Sequence, residues 1–339
     1  MNPIKGAVCL SAMVTLAGAL AAAESRHDLY LAAAINKNYV IGSKLVTTSG
    51  LFRRTDDGSF QHFGVNFPYV FAVAFDPRDR QAIYTASLNG VLLSKDGGES
   101  WRIATGWDMT EAKDISVDPN APDHVYVALP DGIAVSRDRG ATWARKEQGL
   151  PERGKYTQAL QVDRTQAGRA LAACEAGIYL TSNGAESWKR VFAAKATVTD
   201  VRQSPHNPKL WLSSTQNDGV LASNDGGLSW KKFEQLPSDE AFYNVGFDAT
   251  NPQRYAVSSW TYGVMVTEDA GKTWSDRNAG LPDEHCVYRV AIDPDTSHLY
   301  ASVYKDALFV SDDFGRTWKN AGMEGSTIHS FAFVPARAR

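Results

Sequence analysis

Cysteine is nearly absent from this sequence, with three in 339 residues, and that scarcity excludes a small fold framed by disulfides. One of the three, Cys9, falls in an N-terminal apolar stretch. Cys174 and Cys286 sit three repeats apart in the register developed below, so they read as small buried apolar residues rather than a bridge. Charge of one sign is also missing. The net value is −3, which supplies no basic stripe for nucleic acid and no polybasic patch for a membrane surface. No segment sustains the apolar three- and four-residue steps of a helix, so almost no helix is expected. The histidines, at 27, 62, 124, 206, 285, 298 and 329, show no metal-ligand spacing. There is no Gly-Lys-Ser/Thr phosphate loop and no G-x-S-x-G elbow. Strings such as Asp96-Gly97-Gly98 lack the acidic ladder of a calcium loop. Neither metal nor cofactor is expected.

The N-terminus is a separate matter. Lys5 precedes an apolar stretch from Gly6 to Leu20, and Ala21-Ala22-Ala23 offers a small-x-small cleavage site before Glu24. This pattern predicts a signal peptide over residues 1–23 and an exported chain, periplasmic or extracellular, with no membrane span after cleavage. Cys9 lacks the flanking residues of a lipoprotein signal.

What is abundant is self-similarity. Six segments align without gaps, beginning with Ser94-Lys95-Asp96-Gly97-Gly98-Glu99-Ser100-Trp101. The others run Ser136 to Trp143, Thr181 to Trp188, Ser223 to Trp230, Thr267 to Trp274 and Ser311 to Trp318. The shared pattern is [ST]-x-D-x-G-x-[ST]-W. A degenerate seventh copy surrounds Asp56-Asp57-Gly58, with Gln61 where Trp is due, and Asn183 and Ala185 replace Asp and Gly in one copy. Successive copies lie about 40 to 45 residues apart, the period of a propeller blade.

The motif resembles the Asp-box, or BNR repeat, over nearly the whole chain after residue 23. That repeat occurs in sialidases, xyloglucanase-type glycoside hydrolases, the sortilin ectodomain and photosystem II assembly-factor-type propellers. The resemblance implies an all-β, seven-bladed β-propeller of four-stranded antiparallel blades, with residues 24–339 as one domain. It implies fold far more than function.

The residues themselves support a structural role for the motif. A tight hairpin leaves backbone N–H groups unpaired, and a buried carboxylate at Asp96, Asp138, Asp225, Asp269 and Asp313 would accept them. Glycine takes positive φ. The indoles of Trp101, Trp143, Trp188, Trp230, Trp274 and Trp318 are expected to pack into their own blades. Short alternating strands between Gly, Pro and Asp turns fill the rest of each unit. First-strand signals number one too many, because both 29–35 and 327–334 qualify. The C-terminal strand is expected to close the first blade, and residues 28–36 either join that blade or compete for the same slot.

Asp-boxes are turns between third and fourth strands, so they share one face of the disc. Ligands are then expected on the other face, formed by loops between second and third strands and between blades, or in the channel. Aligned inner strands give a polar column of Ala72, Asp114, Ala159, Asp200, Asn244, Arg289 and Ser330. An apolar column of Val73, Ile115, Leu160, Val201, Val245, Val290 and Phe331 should pack between blades. Asp114, Asp200 and Arg289, with Arg202 and His329, form a candidate charged ring. Trp260-Thr261-Tyr262 and Tyr304-Lys305-Asp306 place aromatic and charged residues in two loops where other units carry little. Tyr243 and Tyr288 end neighbouring segments, and Trp260 lies outside the Asp-box set. Clustered aromatics there suit a protein partner or sugar stacking.

Two functions follow. One is a non-catalytic scaffold presenting its loop face to another protein, as the assembly-factor resemblance implies. The other is a carbohydrate-active protein. Inverting glycoside hydrolysis needs two carboxylates roughly 6.5–9.5 Å apart, and Asp114 and Asp200, two blades apart, are the candidates, with Glu175 and Asp306 as further loop carboxylates. Xyloglucanase-type enzymes generally use two propellers, whereas this chain has one. Sialidase activity is disfavoured, since no Arg-Ile-Pro occurs and inner-strand arginines are limited to Arg202 and Arg289.

Overall fold

Short β-branched and aromatic runs, each ended by Gly, Asp or Pro, give this chain strands of two to ten residues and no α-helix among the described residues. The computed structural model describes residues 27–35, 48–67 and 69–336. The predicted signal peptide lies outside them. Seven four-stranded antiparallel sheets stand in a ring, which is a seven-bladed propeller. The inner strands of the second to seventh blades are Val70–Asp76, Asp114–Val117, Thr157–Val162, Val198–Gln203, Phe242–Phe247 and Val287–Ile292.

The first blade resolves the surplus strand. Its order from the axis outward is Ser326–Pro335, His27–Ile35, Thr48–Arg54 and Phe60–Phe63. The N-terminal strand therefore takes the second slot and the C-terminal strand the innermost one. The register runs from His27 opposite Pro335 to Ile35 opposite Ser326. The first and last described strands are tied into one sheet, so the ring has no open seam.

The core is divided among the seams. Seven buried apolar clusters each join two neighbouring blades. Ile115, Leu160, Val201, Val245 and Val290 are buried in them, with Val73 and Phe331 half-buried. Two expectations about the Asp-box need correcting. First, the indoles pack in the seam between their own blade and the preceding one, with Trp101 and Trp230 donating to Gly98 and Gly227 of their own turns. Trp188 Nε1 donates to the Lys146 carbonyl (2.8 Å) and Trp318 Nε1 to that of Arg277 (2.7 Å). Trp143 and Trp274 join the clusters of the second–third and fifth–sixth seams.

Second, the carboxylates are half-exposed or exposed, not buried. They act by accepting hydrogen bonds. Asp138 Oδ1 accepts the Thr142 N–H (2.8 Å) and Oδ2 the Thr142 hydroxyl (2.5 Å), while Ser136 Oγ donates to Oδ1 (2.8 Å). The same set recurs around Asp96, Asp225, Asp269 and Asp313. Asn183 keeps the arrangement, its Oδ1 accepting the Ser187 N–H at 3.1 Å. The degenerate copy forms a tighter turn in which Asp57, rather than Asp56, accepts the Ser59 N–H at 3.0 Å.

Candidate functional site

Each inner strand carries an irregularity at the same place. The pairing with the second strand skips one residue at Phe71, Gln158, Thr199, Tyr243, Tyr288 and His329. In the third blade both Lys113 and Asp114 face Ala128, so Lys113 holds the equivalent position. A bulge adds a residue and re-aims its side chain. The repeated bulge builds a ring of side chains at the loop-face end of the channel, one position before the polar column. The polar column borders a cavity of about 300 Å3 together with Phe71, Lys113, Gln158, Thr199 and His329, whereas Tyr243 and Tyr288 lie outside its lining.

The polar column does a specific job. Asp114 Oδ2 accepts the Leu160 N–H of the next blade (3.0 Å) and its Oδ1 the Ile115 N–H (2.9 Å). Asp200 Oδ2 accepts the Val245 N–H of the next blade (3.2 Å), and Asn244 Oδ1 the Val290 N–H (2.8 Å). These side chains are ties between inner strands. Arg202 lies between the two carboxylates, with Nε 2.9 Å from Asp200 and Nη2 3.9 Å from Asp114. Burial pushes the Asp114 carboxyl up, against the opposing pull of Arg202 and the Leu160 N–H. Arg289 spans three strands, donating from Nε to the His329 carbonyl (2.8 Å) and from Nη1 to those of Tyr243 (3.3 Å) and Tyr288 (3.0 Å). Burial, helped by the charges of Arg289 and Lys113, pushes His329 down to about 3, so its imidazole is neutral at physiological pH.

The loop aromatics converge. Tyr243 lies 6.0 Å from Trp260, Trp260 4.9 Å from Tyr304, Tyr304 6.4 Å from Tyr288, and Tyr288 5.4 Å from Tyr243, centroid to centroid. Two bulge residues and two loop tips thus form a closed circuit over the sixth and seventh blades. Trp260 is 38% and Tyr304 37% exposed. The Arg289 guanidinium lies 4.1 Å from the Tyr288 centroid and Lys305 Nζ 5.3 Å from that of Tyr304.

Other sequence-predicted residues stand apart from this circuit. Tyr262 turns inward and stacks on Phe242 (6.3 Å) in the core of the fifth–sixth seam. Asp306 pairs its backbone with Ser326 of the closing strand. Glu175 is exposed on a loop of the fourth blade. Sequence reasoning passed over Trp107, which is 91% exposed on the loop after the second blade. Like Trp260, it lies outside the Asp-box set, and that signal was available. It also passed over Phe71 and Lys113, stacked with Nζ 4.9 Å from the ring centroid, because strict alternation hides a bulge. Among the described residues no cluster of His, Cys, Asp or Glu is placed to hold a metal ion.

A ring of Asp-box blades around a narrow polar channel, with an aromatic loop face, defines a BNR-type β-propeller. Residues 57–331 match the family described as photosynthesis system II assembly factor YCF48, and the chain belongs to that family. No curated protein matches it. Among solved structures, the GH74 xyloglucanase from Xanthomonas campestris is 17% identical with a TM-score of 0.64, over 81% of this chain and 51% of that one. The GH74 enzyme of Niastella koreensis is 14% identical with a TM-score of 0.68, over 80% of this chain and 51% of that one. The chain thus spans about half the length of these two enzymes. A YCF48 structure bound to D1 peptide is 17% identical with a TM-score of 0.57, over 76% of this chain and 84% of that one. At such identities the likeness shows the fold alone.

Proposed function

We propose that this protein is an exported, non-catalytic propeller that holds a segment of another protein on its loop face. The observation that carries the reading is the closed circuit of Tyr243, Trp260, Tyr304 and Tyr288, two of whose rings stand open to solvent. Exposed, rigidly braced aromatics are the usual anchors of protein recognition. Family membership and the peptide-bound relative support the same direction.

The carboxylates argue against hydrolysis. A general acid or base needs a lone pair or proton aimed at the substrate. Asp114 has both oxygens engaged by backbone N–H groups, and Asp200 is shared between a backbone N–H and Arg202. The carbohydrate reading keeps one supporting feature, the exposed Trp260 ring, and takes the form of a glycan binder using that ring. Export rests on the leader pattern in residues 1–23, and N-terminal sequencing of the protein from cell fractions tests it.

Calorimetric titration of the full chain with a D1-type peptide, beside a xyloglucan turnover assay, tests the function. Peptide binding that Trp260→Ala weakens, with no turnover, is the expected result. Turnover abolished by Asp114→Asn or Asp200→Asn would overturn the reading.

A further inference from the structure

Acidic residues flank the aromatic circuit on two loops. On the Asp-box face two acids are compensated, Glu186 by Arg137 and Lys146, and Glu268 by Arg254, Arg277 and Arg316. The two loops that lead into the sixth and seventh inner strands instead carry Asp239-Glu240 and Asp283-Glu284. None of these four makes an ion pair among the described residues, and three of them are exposed.

Their placement beside the rings is fixed by hydrogen bonds. Glu240 Oε2 accepts the Thr261 hydroxyl at 3.0 Å, which sets this carboxylate next to Trp260. The Cys286 carbonyl accepts the Tyr304 N–H at 2.9 Å, which sets the Asp283-Glu284 segment against Tyr304. The local field is felt by the chain itself. Burial, joined by the Glu284 charge, pushes the Cys286 thiol up.

Two rings of the circuit already carry cations from this chain, Arg289 on Tyr288 and Lys305 on Tyr304. Trp260 carries none among the described residues, yet indole is the strongest cation–π acceptor of the three aromatic types. An open indole beside uncompensated carboxylates is complementary to an aliphatic stem ending in a positive charge. The two acidic pairs belong to successive blades, so an extended chain crossing the face meets both in turn.

We propose that the loop face of the sixth and seventh blades docks a basic, extended polypeptide segment, with one Lys or Arg side chain laid on Trp260 and others neutralising Asp239, Glu240, Asp283 and Glu284. This rests on the protein-binding reading above and adds the sign of the partner's charge.

The test uses the full chain and three short peptides, blocked at both ends, that share one Pro- and Leu-containing frame and differ only in carrying Lys, Gln or Glu at alternate positions. The Lys peptide is expected to bind best, and its affinity to fall several-fold as salt rises toward physiological strength. Trp260→Ala should weaken it about tenfold. The combined Asp239→Asn, Glu240→Gln, Asp283→Asn, Glu284→Gln variant, with an unchanged melting curve, should weaken it at low salt only. Equal binding of all three peptides, or preference for the Glu peptide, overturns the charge assignment and leaves protein binding standing. No peptide binding, together with binding of a neutral xyloglucan oligosaccharide that Trp260→Ala abolishes, overturns both.

Discussion

The Leu160 backbone N–H of the fourth blade donates to the Asp114 carboxylate of the third at 3.0 Å, directly at the channel wall. Residues singled out for catalytic chemistry therefore hold the ring together. Asp114→Ala leaves the Leu160 and Ile115 N–H groups without their acceptor and should cost about 1–3 kcal/mol in urea unfolding. Asp114→Asn keeps an acceptor oxygen, as Asn244 does naturally at the equivalent place, and should cost clearly less. Equal losses in both variants would mean that charge, not the hydrogen bond, is what matters there.

The Asp-box carboxylates set an acid limit. Hydrogen bonds from the residue four positions on hold Asp96, Asp138, Asp225, Asp269 and Asp313 down at about 2. A depressed folded-state value means that the contribution is complete above the free carboxyl value of about 4 and disappears as pH falls from there through about 2. The urea midpoint should begin to fall below about pH 6.5, where the unfolded chain protonates His329 and the buried folded imidazole does not, and should decline further between pH 4 and 2 as the Asp-box carboxylates protonate. Asp313→Asn should make that decline shallower.

Backbone conformation gives a third test. Gly98 has φ +95°, and an added Cβ would come within 2.6 Å of the Phe63 ring, so Gly98→Ala should destabilise by about 1–3 kcal/mol. Ala185 already occupies the matching position at φ +65° and is buried in the third–fourth seam. Ala185→Gly relieves strain of about 1 kcal/mol and loses a buried methyl worth about 0.8 kcal/mol. Its melting temperature should scarcely move.

Both described cysteines are free thiols. Burial pushes Cys174 up to about 12, and Cys286 is also raised. A thiol reagent at pH 8 should label folded protein slowly at both and unfolded protein quickly, since the thiolate is the reactive form. Added reductant should leave the melting temperature unchanged.

Much of this molecule was written in local sequence. The turn chemistry around Asp96 or Asp313 involves residues within six positions of one another, so six repeats and a degenerate seventh declare the blade, its hairpin and the ring of seven without any long-range information. The loop tips Trp260 and Tyr304 stood out for the same reason, as departures from a repeated pattern. Most of what local sequence withheld involves partners about 40 residues or more away. The tie from Asp114 to Leu160 and the packing of each indole in the seam with the preceding blade depend on how two sheets meet, and the bulge at Tyr288 depends on how its strand pairs with the second strand of the same blade. The fate of residues 27–35 was undecided for the same reason. Either terminal strand matches the pattern of an inner strand, and only closing the circle, where Ser326–Pro335 lines the axis and pairs along His27–Ile35, assigns each its slot.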